Sequence, residues 1–212
     1  MPEKALERIE ETGVIAILRG VEADTIVDVA SAVVDAGVTA VEVTTDTPGV
    51  TEKIGTLTAT FDGVSVGAGT VLDSETARAV QMAGAEFVVT PTVEKGVIET
   101  SNRYGTPIVC GAYTPTEALT AYEAGADLIK VFPAETGGPG HVSAVAGPLG
   151  QLPLVPTGGV GPSNAGAYVD AGAVAVAAGS GIVSDEALAE ADYASITDNA
   201  RRILDAVESA RD

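Results

Sequence analysis

The chain has 212 residues, 46% of them hydrophobic, which is enough apolar material for one large core. Its formal net charge is -19 at pH 7, because 30 acidic residues outnumber 11 lysines and arginines. A chain of this sign repels the phosphates of nucleic acids and anionic membrane surfaces, so the composition argues against both as partners.

The acidic residues are spread over the predicted helices and both termini, as on a solvated surface. Salt screens their mutual repulsion, since the Debye length falls to about 3 Å at 1 M ionic strength, and we therefore expect a high-salt cytosol. The stretch MPEKALERIEE lacks the apolar core of a signal peptide, and no run approaches ~20 apolar residues. These features predict a cytoplasmic protein without a membrane span.

Cysteine and histidine each occur once, as Cys110 and His141. One chain therefore cannot assemble a zinc or non-haem iron site of the usual nitrogen and sulfur ligands, nor an intrachain disulfide. The apolar neighbours of Cys110 predict a buried structural thiol. Carboxylate-held magnesium stays open, but no spacing requires it, and we predict no metal site.

Short runs rich in β-branched residues alternate with longer amphipathic stretches along the whole chain. In chain order the predicted strands are GVIAILRG, TAVEVTT, VSVGAG, EFVVTP, PIVCGA, LIKVFP, LPLVPTGG and VAVAAGSG. Predicted helices between them include DTIVDVASAVVDAG, SETARAVQMAG, TVEKGVIETSNRYG, TPTEALTAYEAG and PSNAGAYVDAG. The repeating unit is strand, crossover helix and parallel strand.

Four variations of one phrase, DAGVTAVEV, MAGAEFVVT, EAGADLIKV and DAGAVAVAA, recur at intervals of 47, 41 and 47 residues. Each interval equals about two such units, so the phrases precede the even-numbered strands. Eight units predict a single-domain (β/α)8 TIM barrel over residues 1–212, with short helical segments at both termini. A doubly wound sheet is the alternative; the barrel is favoured because glycine-rich loops follow strands seven and eight, and no phosphate fingerprint follows strand one.

A lysine interrupts the apolar sixth strand. Period-two alternation places Lys130 on the barrel interior, near the carboxyl end of its strand, and places Glu42 of the second strand in the same interior. A structural ion pair is one interpretation, but burying two charges costs several kcal/mol per ion. A catalytic pair is the other: an amine whose pKa is lowered from ~10.4 attacks a ketone to form a Schiff base, and Glu42 moves the protons.

The loops after strands seven and eight carry Gly158, Gly159, Gly179 and Ser180. Glycines let backbone N–H groups approach an anion, and this pair of loops is the usual phosphate site of a barrel. At the ends of strands three and four, Thr70 and Pro91 lie at the predicted catalytic rim, although each is also compatible with a plain turn. Arg19, after strand one, is either an anion ligand or a surface arginine.

The sequence resembles the 2-keto-3-deoxy-6-phosphogluconate (KDPG) aldolase family, which includes the corresponding phosphogalactonate (KDPGal) and 4-hydroxy-2-oxoglutarate aldolases. The resemblance covers most of the chain and rests on GVIAILRG, EVTTDT, VGAGTVL, EFVVTP, LIKVFPAE, AGPLGQLPLVPTGGV and AAGSGIV, in the family's order and spacing. It implies a (β/α)8 barrel that binds a small keto acid, assembles as a homotrimer, and uses neither metal nor organic cofactor.

The resemblance also implies residue roles. Lys130 would form the Schiff base with pyruvate, and Glu42 would be the general acid and base. The positions matching those around pyruvate are Thr70, Pro91 and Phe132, with Thr70 near the carboxylate. The positions matching the phosphate site are Gly158, Gly159 and Ser180, with Thr157 beside them.

Asp46 departs from the family pattern. The family's second strand commonly ends like EVTLRT, with an arginine that helps bind the carboxylate, whereas EVTTDT has Asp46 there. Either Arg19 and backbone donors bind the carboxylate, or the ligand differs. Two rival functions therefore stay open: a phosphate-binding barrel isomerase or epimerase without a covalent adduct, and a noncatalytic sugar-phosphate binding protein. The gluconate and galactonate epimers differ at one hydroxyl, and the sequence does not choose between them.

Overall fold

The structure is a computed structural model that describes residues 2–212. Its strands are β1 Val14–Leu18, β2 Ala40–Thr44, β3 Ser65–Gly69, β4 Phe87–Val89, β5 Ile108–Ala112, β6 Leu128–Val131, β7 Leu154–Pro156 and β8 Val176–Ala178. Its helices are α1 Pro2–Thr12, α2 Ile26–Asp35, α3 Val50–Thr60, α4 Ser74–Met82, α5 Lys95–Tyr104, α6 Pro115–Glu123, α7 Gly138–Ala146, α8 Ala165–Asp170, α9 Asp185–Ala189 and α10 Tyr193–Arg211. A short 3-10 helix covers Ala134–Thr136.

The eight strands form one parallel sheet in the order β7-β6-β5-β4-β3-β2-β1-β8. A bridge between Thr157, just after β7, and Ala177 of β8 joins the two ends of this order. The sheet therefore closes nearly completely into a barrel, with a helix after each strand on the outside. The predicted (β/α)8 barrel is confirmed, and the doubly wound alternative is wrong.

Two apolar layers result from the period-two alternation of the strands. Val41, Val43, Ile129 and Val131 belong to the layer between the strands and the surrounding helices. The barrel interior forms a separate cluster, which contains Ile15, Ala40, Phe87, Val109, Leu128 and Val155. The predicted inward and outward faces of β2 and β6 are thus confirmed.

The terminal helices complete these layers. Ala5 and Ile9 of α1 pack into the interior cluster, and Arg8 donates to the Ser65 hydroxyl at the start of β3, so α1 covers the amino-terminal mouth. The helix α10 packs on α2 and α8. Among the helices of residues 2–212, none has the length and apolar composition needed to cross a membrane. The opposite mouth, where the strands end, stays open for the site.

The repeated phrase has a structural basis at its glycines. Gly37, Gly84, Gly125 and Gly172 each follow the end of a helix with φ between +98° and +112°. Residues other than glycine rarely adopt this backbone conformation. It lets the chain leave the helix and turn toward the next strand. These helices precede β2, β4, β6 and β8, as the spacing of the phrase predicts.

Candidate active site

Lys130 lies inside the barrel, one residue before the end of β6, and is 4% exposed. Its neighbours Ile129 and Val131 point outward into the helix layer. The ring centroid of Phe132 lies 5.0 Å from the Lys130 Nζ, so an aromatic wall flanks the amine. Position and burial of this lysine are those that the alternation predicts.

Glu42 reaches the interior from β2 and is 1% exposed. Gly69, at the end of β3, makes room for it, because a Cβ atom at that position would overlap the Glu42 carboxyl group. The Oε2 atom of Glu42 is buried without a hydrogen-bond partner in the protein. An unpartnered buried carboxyl oxygen is costly for stability, and it leaves the group available to a ligand hydroxyl or water.

Burial changes the pKa values of both interior groups in the direction that favours the neutral form of each. Desolvation lowers the pKa of Lys130, while the charge of Glu42 acts in the opposite direction. Desolvation raises the pKa of Glu42, against the charges of Lys130 and Arg19. Among the described residues, the ion pairs within 4.0 Å do not include Lys130 with Glu42. The two groups therefore share the barrel interior without forming a tight ion pair, and perturbed pKa values of this kind are common at functional sites.

The carboxyl ends of β1, β2 and β3 bring three polar side chains together. Arg19 donates from Nη2 to the Thr70 hydroxyl over 3.2 Å, and its Nε lies 3.7 Å from the Oδ2 of Asp46. Thr70 has φ +59°, an uncommon conformation for a β-branched residue, and its carbonyl accepts a 2.7 Å hydrogen bond from the Thr45 hydroxyl. Arg19 thus contacts partners at the rim that follow two other strands.

A pocket of about 220 Å³ opens at this mouth of the barrel. Its lining contains eight of the predicted site residues, namely Arg19, Lys130, Phe132, Thr157, Gly158, Gly159, Gly179 and Ser180. Within the described residues, the backbone N–H groups of Gly159 and Ser180 donate to no protein acceptor. Two free N–H groups on facing glycine loops form a concavity suited to an anion.

The other predicted site residues lie around this pocket. Glu42 is buried in the barrel interior, and Thr70 accepts a hydrogen bond from Arg19, which lines the pocket. Pro91 lines a neighbouring cavity between β4, β5 and β6, which it shares with Phe132. All of the predicted residues therefore lie at or beneath one end of the barrel.

Several neighbours of the site are not evident from the sequence pattern. Asp185, in the first turn of α9, lines the pocket. Glu135 packs behind Gly159, where a Cβ atom would overlap its side chain. Lys53 is buried on α3 and donates to the Val21 carbonyl over 2.7 Å, although its sequence neighbours are polar. Of these residues, Glu135 belongs to LIKVFPAE, one of the segments on which the family resemblance rests, but the sequence analysis gives it no role.

The fold and site define a (β/α)8 barrel with a buried lysine and glutamate beneath two glycine-rich loops. A family model described as KDPG and KHG aldolase matches residues 6–199. The chain belongs to the KDPG and KHG aldolase family.

Its relatives include enzymes named for both sugar acids. The 2-dehydro-3-deoxy-6-phosphogalactonate aldolase of Escherichia coli K12 is 38% identical over 173 residues, which are 81% of this chain and 82% of that protein. The solved native KDPGal structure has a TM-score of 0.88 at 32% identity, covering 93% of this chain and 95% of that chain. The KDPG aldolase of Legionella pneumophila, solved with pyruvate captured as a covalent carbinolamine, has a TM-score of 0.85 at 26% identity, covering 96% and 98%.

Proposed function

We propose that this chain is a class I aldolase that reversibly cleaves a 2-keto-3-deoxy-6-phosphosugar acid, KDPG or KDPGal, to pyruvate and glyceraldehyde 3-phosphate. The observation that carries the proposal is the burial of Lys130 beside Glu42, directly beneath a pocket that has free N–H donors. Desolvation lowers the pKa of Lys130, and a neutral amine is the form that attacks a carbonyl. The carbinolamine of the Legionella relative supports the same chemistry.

In the proposed cleavage, the Lys130 Nζ attacks the C2 ketone, and a proton moves to the ketone oxygen to give a carbinolamine. Loss of water leaves a cationic Schiff base. Removal of the C4 hydroxyl proton then breaks the C3–C4 bond, which releases the aldehyde and passes the electron pair into the Schiff base as an enamine. Protonation at C3 and hydrolysis return pyruvate and the free amine.

Glu42 is the proton carrier of this proposal. Burial raises the pKa of its carboxyl group, so the group holds a proton at a higher pH than a solvated glutamate does. It is the carboxyl group placed in the interior with Lys130, and its Oε2 has no protein partner to displace. It would give a proton as the carbinolamine loses water and exchange one with the C4 hydroxyl and the nascent methyl group.

The glycine-rich loops would hold the 6-phosphate. The N–H groups of Gly159 and Ser180 would donate to it, while Arg19 and Thr70 would meet the carboxylate at the other side of the mouth. No metal or organic cofactor takes part in the proposed steps. We also infer a homotrimer, from the family resemblance, and light scattering in high salt tests it, because a monomer would contradict it.

Borohydride trapping with pyruvate, followed by peptide mass spectrometry, tests the Schiff base directly. We expect a reduced adduct on the peptide that contains Lys130, and none in Lys130→Met. Lys95→Met, which removes a lysine outside the pocket, is the matched control and should trap like wild type.

Cleavage of the KDPG and KDPGal epimers, each followed by pyruvate release, identifies the substrate. A folded protein that forms no adduct at any lysine contradicts the proposal. Phosphosugar conversion without an adduct would then indicate the isomerase or epimerase, and stabilisation by a phosphosugar without turnover would indicate the binding protein.

A further inference from the structure

Asp46 occupies the position at which the resembling family commonly has a carboxylate-binding arginine, and it contacts the arginine of a neighbouring strand instead. The contact joins Asp46 Oδ2 to Arg19 Nε over 3.7 Å. On the opposite side, the Nη2 of Arg19 donates to the Thr70 hydroxyl. Two side chains that follow two different strands thus contact one guanidinium group.

This arrangement leaves N–H donors of the guanidinium group free to bind a ligand. A guanidinium has five N–H donors in a rigid plane; the hydrogen bond to Thr70 uses one N–H of Nη2, and Asp46 lies 3.7 Å from Nε as an ion-pair partner. The remaining N–H groups, on Nη1 and Nη2, form a fork that matches the two oxygens of a carboxylate. Arg19 also lines the pocket above Lys130, where the carboxylate of a bound keto acid would be.

The backbone next to Arg19 is held by hydrogen bonds that do not involve Asp46. The Gly20 N–H donates to the Thr47 hydroxyl over 3.2 Å, and the buried Lys53 ammonium donates to the Val21 carbonyl over 2.7 Å. These bonds tie the loop after β1 to the segment after β2. Removal of the Asp46 charge should therefore free the guanidinium group while the loop stays in place.

Fold stability does not explain the pair. The side chains of Arg19 and Asp46 are 59% and 49% exposed. Exposed ion pairs contribute about 0–1 kcal/mol to stability, and less in high salt.

We propose that Asp46 is a positioning residue: it orients Arg19 so that one arginine from β1 binds the substrate carboxylate, in place of the arginine that the family commonly carries after β2. The inference rests on the proposed function, because the carboxylate is that of the keto acid bound at Lys130. It predicts that Asp46 acts through Arg19 and improves binding of an anion, although its own charge is negative.

The test measures the pyruvate concentration that gives half-maximal borohydride trapping at Lys130, for four variants at the lowest KCl concentration that keeps the wild type folded, where the ion pair is screened least. Arg19→Met should raise this concentration roughly 10- to 100-fold, the range expected for loss of a charged hydrogen-bond donor. Asp46→Asn should raise it about 5- to 10-fold with the same maximal yield. In the double variant, Asp46→Asn should add less than about twofold. Asp24→Asn removes one charge from the exposed part of the β1–α2 loop and should match wild type.

The results distinguish the proposed function from the positioning role of Asp46. A wild-type adduct at Lys130 supports the proposed function, and the ratio of Asp46→Asn to wild type then tests the inference. An unchanged or lowered half-saturating concentration in Asp46→Asn would overturn the positioning role, since a purely repulsive carboxylate gives that result. An equal effect of Asp46→Asn with and without Arg19 would also overturn it. Absence of a wild-type adduct overturns both claims.

Discussion

Gly69 lies where any side chain would overlap the carboxyl group of Glu42, across the contact between β3 and β2. The clash is with the tip of a side chain and not with backbone, so a Cβ atom at position 69 should displace Glu42 and leave the strand intact. A small substitution at Gly69 on β3 therefore tests the role of Glu42 on β2.

Gly69→Ala should lower kcat for aldol cleavage about 10- to 100-fold, because general acid–base catalysis typically contributes 10²- to 10⁴-fold and the displaced carboxyl retains part of it. The melting temperature should change by only a few degrees, as for a typical side-chain rearrangement. Gly96→Ala, where an added Cβ meets nothing within 4 Å, is the control for the extra methyl group. Wild-type kcat in Gly69→Ala would show that Glu42 does not need its present position.

Glu42 should give the protein a characteristic pH dependence of stability. Burial raises the pKa of Glu42, so above pH ~4.3 the unfolded chain loses a proton that the folded chain keeps. The folded state then binds more protons, and this group lowers the free energy of unfolding as pH rises toward its folded pKa. Glu42→Gln removes that cost, so its stability advantage over wild type should grow with pH across this window, by at most ~1.4 kcal/mol per pH unit.

Urea unfolding of both proteins between about pH 3 and pH 8 at constant KCl measures this difference. Glu117→Gln provides a control of opposite sign. Hydrogen bonds from the N–H groups of Thr114 and Tyr113 lower the pKa of Glu117, so its contribution is present above pH ~4.3 and is lost on acidification. Parallel stability curves for Glu42→Gln and wild type would mean that Glu42 titrates like an exposed carboxyl.

The fold and the main site residues follow from local patterns. Alternation along β2 and β6 predicts that Glu42 and Lys130 share the interior, and glycine-rich loops after the last two strands predict the anion pocket. The structure has both charged residues in the interior and both loops around one pocket, because side-chain direction in a strand and the sequence of units in a barrel depend on neighbours in the chain.

The contacts among rim residues do not follow from the sequence. The pairing of Arg19 with Asp46 depends on the rotamers of two side chains on separate loops. The burial of Lys53 depends on a carbonyl 32 residues earlier in the chain, whereas its immediate neighbours indicate a solvated helix face. The close approach of Gly69 to Glu42 depends on the pairing of two separate strands, which the sequence around Gly69 does not show.

Thr70 should show a trade-off between stability and binding. Its φ of +59° is strained for a β-branched residue, by about 1–3 kcal/mol, whereas glycine adopts this conformation without strain. Thr70→Gly should therefore melt no lower than wild type, because relief of strain offsets the ~0.5–1 kcal/mol entropic cost of glycine. The same change removes the hydroxyl that accepts from Arg19, so half-saturating pyruvate in the trapping assay should rise about tenfold. A lower melting temperature together with unchanged trapping would contradict both parts.

The acidic surface should make the protein more stable in concentrated salt. Among the described residues, three ion pairs lie within 4.0 Å, Arg8 with Glu86, Arg19 with Asp46 and Arg202 with Asp198, whereas the chain has 30 acidic residues. Most carboxylates therefore repel one another without a nearby cation.

The melting temperature should rise with KCl, most steeply below about 1 M, where the Debye length shrinks from about 10 Å at 0.1 M to 3 Å. Glycine betaine at equal osmolality controls for general solute exclusion and should give a smaller rise, because it carries no net charge to screen the surface. A melting temperature that stays flat or falls as KCl increases would contradict adaptation to a high-salt cytosol.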